Sequence, residues 1–133
     1  MGDKAKRILV VDDEPDAVEG ITAMLEAGGY VVSSASDGEA GIAAARSEMP
    51  DLIILDVQMP GKSGFDTFND LARDESTKRI PVCFLTAVTG RTGIKFSADA
   101  IGEFYGAEPE GYIEKPVDPS RLLSTVGKIL SAR

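Results

Sequence analysis

Hydrophobic positions along the 133-residue chain follow two alternating patterns. Five short apolar runs, RILVV (7–11), YVVSSA (30–35), DLIILD (51–56), IPVCFL (80–85) and GYIE (111–114), carry little polar alternation. Strands covered on both faces read this way, so the runs are predicted as β1 to β5 in that order. Between them apolar residues recur at helical spacing. In PDAVEGITAMLEAGG, Val18, Ile21, Met24 and Leu25 share one face, Pro15 suits the first turn and Gly28 with Gly29 ends the helix. DGEAGIAAARSEM follows the turn signal Ser36-Asp37-Gly38, and GFDTFNDLARD gathers Phe65, Phe68, Leu71 and Ala72. In DPSRLLSTVGKIL, Asp118 caps, Pro119 opens the first turn, and Leu122, Leu123, Val126, Ile129 and Leu130 form the buried stripe. A short helix over 97–105, with Ile101, Phe104 and Tyr105 on one side, completes five β-α repeats.

This alternation predicts an α/β fold, a doubly wound five-stranded parallel sheet with helices on both faces, because crossovers between parallel strands are right-handed. With strand order 2-1-3-4-5, a crevice opens beyond the carboxyl ends of β1 and β3, where the order reverses. The length suits a single domain over 1–133 with its core at about 6–131, and no repeat, linker or output domain is read from the chain.

Composition narrows the chemistry. A net charge of −8 with scattered Lys and Arg argues against direct nucleic-acid binding, which needs a basic stripe. The longest apolar runs have strand length, too short for a membrane span, and the apolar part of the N-terminus is too short for a signal peptide. The single Cys83, inside PVCFL, reads as a core thiol of a reducing, cytoplasmic compartment. The chain has no His, so any chemistry runs on carboxylates, Lys, Thr or Tyr.

Asp12 and Asp13 end β1 and Asp56 ends β3, so three carboxylates are expected in one crevice. At about 4 Å and an effective dielectric near 20, each like-charged pair costs roughly 4 kcal/mol. That cost calls for a cation, and hard oxygen ligands in a small acidic pocket suit Mg²⁺. The plainer alternative is helix N-terminal chemistry for Asp12, Asp13 and Glu14 ahead of Pro15, and a strand-end turn for Asp56. Convergence at the reversal point favours the metal. Thr86 follows β4, and Lys115 closes β5 before Pro116, which restricts Lys115 to an extended backbone and permits a cis bond.

The segments VVDDEP, LIILDVQMPGKSGFD, FLTA and GYIEKPVDPSRLL together resemble the receiver domains of two-component response regulators, CheY-like proteins of flavodoxin-like (βα)5 fold, over essentially the whole chain. The resemblance implies Asp56 as phosphoacceptor, Asp12 and Asp13 as the acidic pair for Mg²⁺, and the Gln58 backbone carbonyl as the remaining protein ligand. It also implies Thr86 as switch hydroxyl, Tyr112 as switch aromatic and Lys115 as the family's lysine, with Met59, Pro60, Gly61 and Gly64 shaping the pocket. The implied partners are a sensor histidine kinase or histidine phosphotransfer protein as donor, and an unidentified downstream protein bound on the face of the fourth helix, the fifth strand and the last helix. The stretch 87–111 is longer than the family pattern; Phe96, Phe104 and Tyr105 within it read as core. Two rival readings stand beside this one. TGRT (89–92) resembles a phosphate-cradling loop of a flavin-binding module, and a strand-end Asp with Mg²⁺ also suits an aspartate-nucleophile phosphatase.

Overall fold

A computed structural model describes residues 5–87 and 109–132. Its elements are β1 (Arg7–Val11), α1 (Pro15–Ala27), β2 (Val31–Ala35), α2 (Gly38–Glu48), β3 (Leu52–Asp56), α3 (Gly64–Arg73), β4 (Val82–Ala87), β5 (Gly111–Lys115) and α4 (Pro119–Ser131). The five strands are parallel in the order β2-β1-β3-β4-β5, as the sequence predicts. The helix expected over 97–105 and its aromatic residues lie outside the described residues.

Strand periodicity splits the core in two. Because neighbouring side chains on a strand point to opposite faces, Leu9, Val11, Ile53, Leu55 and Phe84 meet Ile42, Ala45, Phe68 and Leu71 of α2 and α3 on one face. The alternate positions Ile8, Val10, Leu52, Ile54, Cys83 and Leu85 meet Ile21 and Leu25 of α1 and Leu122, Val126 and Ile129 of α4 on the other. Each fully buried side chain of this size stabilises the fold by about 1.5–3 kcal/mol, so the three central strands form a rigid base. Burial also pushes the Cys83 thiol up to about 12, which leaves it un-ionised core, as its apolar run suggests.

Coverage of both faces holds for β1, β3 and β4 but not for β2. That strand lies at the sheet edge, its residues are exposed or half-buried, and Val31 is 50% exposed. The other departure is at β4, which runs to Ala87 and takes Thr86 into the strand rather than the turn after it. α4 starts as expected at Asp118, whose side chain accepts from the backbone N–H of Arg121, and the structure adds two caps, Asp37 accepting from Ala40 and Ser63 from Asp66. α1 differs: Glu14 occupies the N-cap position without a side-chain cap bond.

Candidate functional site

The crevice is built where β1 and β3 end side by side. Val11 pairs with Leu55, which puts the next residues, Asp12 and Asp56, at the same edge. The Asp12 N–H donates to the Ala35 carbonyl at 3.1 Å and so extends the β1–β2 ladder by one step. Asp12 and Asp56 are 1% and 4% exposed, while Asp13 is half-buried. Carboxylate oxygens of the three lie within 4.8 Å of one another.

The backbone around Asp56 tolerates little else. Gly64 donates its N–H to the Val57 carbonyl at 2.9 Å, and a Cβ on Gly64 would sit 2.1 Å from the Asp56 carbonyl oxygen. Only glycine lets α3 start so close to the end of β3. Gly61, at φ +77°, turns the loop between them. Gln58, two residues past Asp56 in that loop, is exposed, and its N–H reaches Asp56 Oδ1 at 3.4 Å.

Lys115 arrives from the opposite side of the crevice, at the end of β5, with a cis bond to Pro116. Its Nζ lies 3.0 Å from Asp12 Oδ2, 3.1 Å from Glu14 Oε1 and 3.6 Å from Asp56 Oδ1. Asp12 divides its two oxygens. Oδ1 accepts from the Glu14 N–H at 3.0 Å, a turn bond just ahead of α1 and not a cap on the helix itself. Oδ2 is buried with its ion pair to Lys115 and no aligned hydrogen bond. A buried carboxylate oxygen left in that condition costs stability.

Asp56 carries the electrostatic consequence. Burial, reinforced by the charge of Asp12 and opposed by Lys115 and the Gln58 N–H, raises its pKa from 3.8 to about 7. Burial pushes the Lys115 ammonium down, but its contacts with Asp12, Glu14 and Asp56 together outweigh burial and raise its pKa. One cation therefore faces more negative charge than it can neutralise.

Of the residues singled out from sequence, Asp12, Asp13, Asp56 and Lys115 are brought together directly. Thr86, half-buried, follows Leu85, the partner of Asp56 in the β3–β4 ladder, and so stands at the same sheet edge. Tyr112 lies further back on β5, half-buried and opposite Phe84, with ring centroids 6.0 Å apart and tilted 50°. Sequence reasoning missed Glu14 as a partner of Lys115. The two are 101 positions apart, and no local pattern links them.

Comparison with known proteins agrees with this geometry. A family model described as the response regulator receiver domain matches residues 8–127. The chain is 39% identical over 125 residues to protein PilH of Pseudomonas aeruginosa, covering 94% of this chain and 98% of PilH. It is 39% identical over 120 residues to response regulator PleD of Caulobacter vibrioides, covering 90% of this chain but 25% of PleD. The structure of chemotaxis protein CheY4 from Vibrio cholerae superposes with a TM-score of 0.80 at 29% identity, covering 95% of this chain and 99% of that one. The chain belongs to the response regulator receiver domain family, and its function is that of a phosphoacceptor signalling domain.

Proposed function

We propose that Asp56 is the phosphoacceptor and that Asp12, Asp13 and the Gln58 carbonyl, with Asp56, hold Mg²⁺. The observation that carries this reading is the buried Asp56 carboxylate, 3.6 Å from Lys115 Nζ and clustered with two further acids. The donor set fits the metal: all oxygen, close together, with Asp12 Oδ2 buried and without an aligned hydrogen bond. Bound there, Mg²⁺ would supply charge stabilisation for phosphoryl oxygens.

In the step itself an Asp56 carboxylate oxygen attacks phosphorus, a new O–P bond forms, and the bond to the donor nitrogen breaks with its electron pair leaving on that nitrogen. The product is an aspartyl phosphate. The chain has no His, so the phosphohistidine belongs to a partner sensor histidine kinase or phosphotransfer protein. Lys115 contributes positive charge to the transferring oxygens, and fixed positioning by β1, β3 and β5 does most of the remaining work. The domain thus provides groups for its own phosphorylation and for later hydrolysis without being a turnover enzyme.

The new phosphoryl group offers acceptors to the Thr86 hydroxyl and Lys115. Inward movement of Thr86 opens space that Tyr112 can take, which shifts the population of the face around β5 and α4 toward a form bound by a downstream protein. Among the described residues no helix is long and apolar enough to cross a membrane.

The comparisons give no support to a flavin-binding module, and TGRT (89–92) lies outside the described residues. The phosphatase reading requires a second acid two residues after the nucleophile, where this chain has Gln58. The test is intact-mass spectrometry after incubation with acetyl phosphate. One phosphoryl adduct that needs Mg²⁺ and disappears in Asp56→Asn is the expected result; an adduct that persists in the variant overturns the assignment.

A further inference from the structure

We propose that Glu14 is a latch on Lys115, a positioning residue that competes with the phosphoryl group for the lysine and so sets how readily Asp56 is phosphorylated. The inference rests on Asp56 being the phosphoacceptor.

Glu14 stands where a helix cap belongs, with extended backbone at φ −94° and ψ 112°, yet its side chain makes no cap bond to α1. It turns to Lys115 instead, with Oε1 3.1 Å from Nζ. An ammonium has three N–H donors, and three carboxylates claim them. The contacts to Asp12 and Glu14, at 3.0 and 3.1 Å, are shorter than the contact to Asp56 at 3.6 Å. In this state the lysine leans away from the residue it is to assist.

The three partners are not equal. The side chains of Asp12 and Asp56 are 0% and 6% exposed, whereas that of Glu14 is 65% exposed. Water screens the Glu14 contact, so it is the easiest of the three to exchange. A phosphoryl group on Asp56 brings nearly two negative charges to a buried position. Lys115 reaches that group by giving up Glu14, which keeps Asp12 paired throughout. Removing the latch lowers the cost of recruitment by the worth of one screened ion pair, a few-fold in rate or affinity.

Glu14→Gln, at saturating Mg²⁺, is expected to raise the rate of phosphorylation by acetyl phosphate and the affinity for beryllofluoride about three- to fivefold. The same variant should weaken Mg²⁺ binding to the unphosphorylated domain about two- to threefold, because Lys115 then leans on Asp12 and Asp56. A merely structural change would move both readouts the same way. Glu14→Asp keeps the charge but is one methylene short of Lys115, and should resemble Glu14→Gln in beryllofluoride affinity. Unchanged or slower phosphorylation in Glu14→Gln, or wild-type behaviour in Glu14→Asp, overturns the latch. If the wild-type chain forms no Asp56-dependent adduct, the latch and the phosphoacceptor assignment both fall, whereas a normal wild-type adduct with an inert Glu14→Gln removes the latch alone.

Discussion

Two lysine-centred clusters make an instructive contrast. On the outer face of α2 and α3, Lys62 contacts Glu39 at 2.9 Å and also pairs with Asp70, while Arg46 holds Asp74 at 2.6 Å. The Lys62 partners are open to solvent, the Glu39 side chain 77% exposed and that of Asp70 45%. Hydrogen bonds to Asp70 and then Glu39 raise the Lys62 pKa, and bonds from Ser76 and Arg46 hold Asp74 down at about 2. At the carboxyl edge of the sheet, Lys115 faces two carboxylates that are almost wholly buried, beside the exposed Glu14, and Asp56 is driven up to about 7. Similar groups at similar distances form settled surface pairs in one place and a charge imbalance in the other. Burial makes the difference, because it removes the water that would otherwise absorb the excess charge.

The largest consequence is in pH dependence. Asp56 holds its proton more tightly in the fold, with a pKa of about 7, than at the ordinary value of 3.8. Its contribution to the metal-free domain is therefore fully present below about pH 4 and is lost as pH rises through about 7. Asp74 works in the opposite direction: its contribution is present above about pH 4 and is lost as pH falls toward 2. Urea unfolding in chelator from pH 4 to 8 should show stability declining with pH, and Asp56→Asn should remove most of that decline. A flat profile would mean that Asp56 is solvated like the surface acids.

Truncating the two lysines sharpens the contrast. Lys115→Met leaves two buried carboxylates facing each other and should cost about 3 kcal/mol near pH 8. Lys62→Met removes only screened contacts and should cost under about 1 kcal/mol. Equal losses in chemical denaturation would contradict the distinction. The smallest stability effect is expected from Asp13→Ala, which relieves repulsion and should leave the metal-free domain unchanged or more stable by about 1 kcal/mol, while Mg²⁺ no longer raises its melting temperature. A clear loss of stability without metal would instead support a helix-entry role for Asp13.

Much of this arrangement was legible in sequence because it depends on local rules. The β1 run 7–11 coincides with Arg7–Val11, the Asp118 cap falls where expected, and the turn signal at Ser36-Asp37-Gly38 precedes α2, since strand burial and helix entry are written in neighbouring residues. The convergence of Asp12, Asp13, Asp56 and Lys115 was legible because each lies at or just past the end of a strand, and a parallel sheet gathers strand ends at one edge. Exposure of β2 was missed because the run 30–35 was read from its apolar residues alone, although the strand order predicted for the sheet already puts β2 at an edge. Two contacts were illegible for a different reason. The Glu14 contact with Lys115 and the close approach of Gly64 to the Asp56 carbonyl depend on how separate elements dock.

The claim that Asp56, rather than either neighbouring acid, takes the phosphoryl group is tested most directly by borohydride trapping. Reduction of an aspartyl phosphate converts the modified residue to homoserine, which tandem mass spectrometry can place in the sequence. After treatment with acetyl phosphate and Mg²⁺, we expect the mass change at position 56 alone, and none without Mg²⁺. Label at position 12 or 13, or the same label without Mg²⁺, would contradict the account of a buried acceptor assisted by a metal and a lysine.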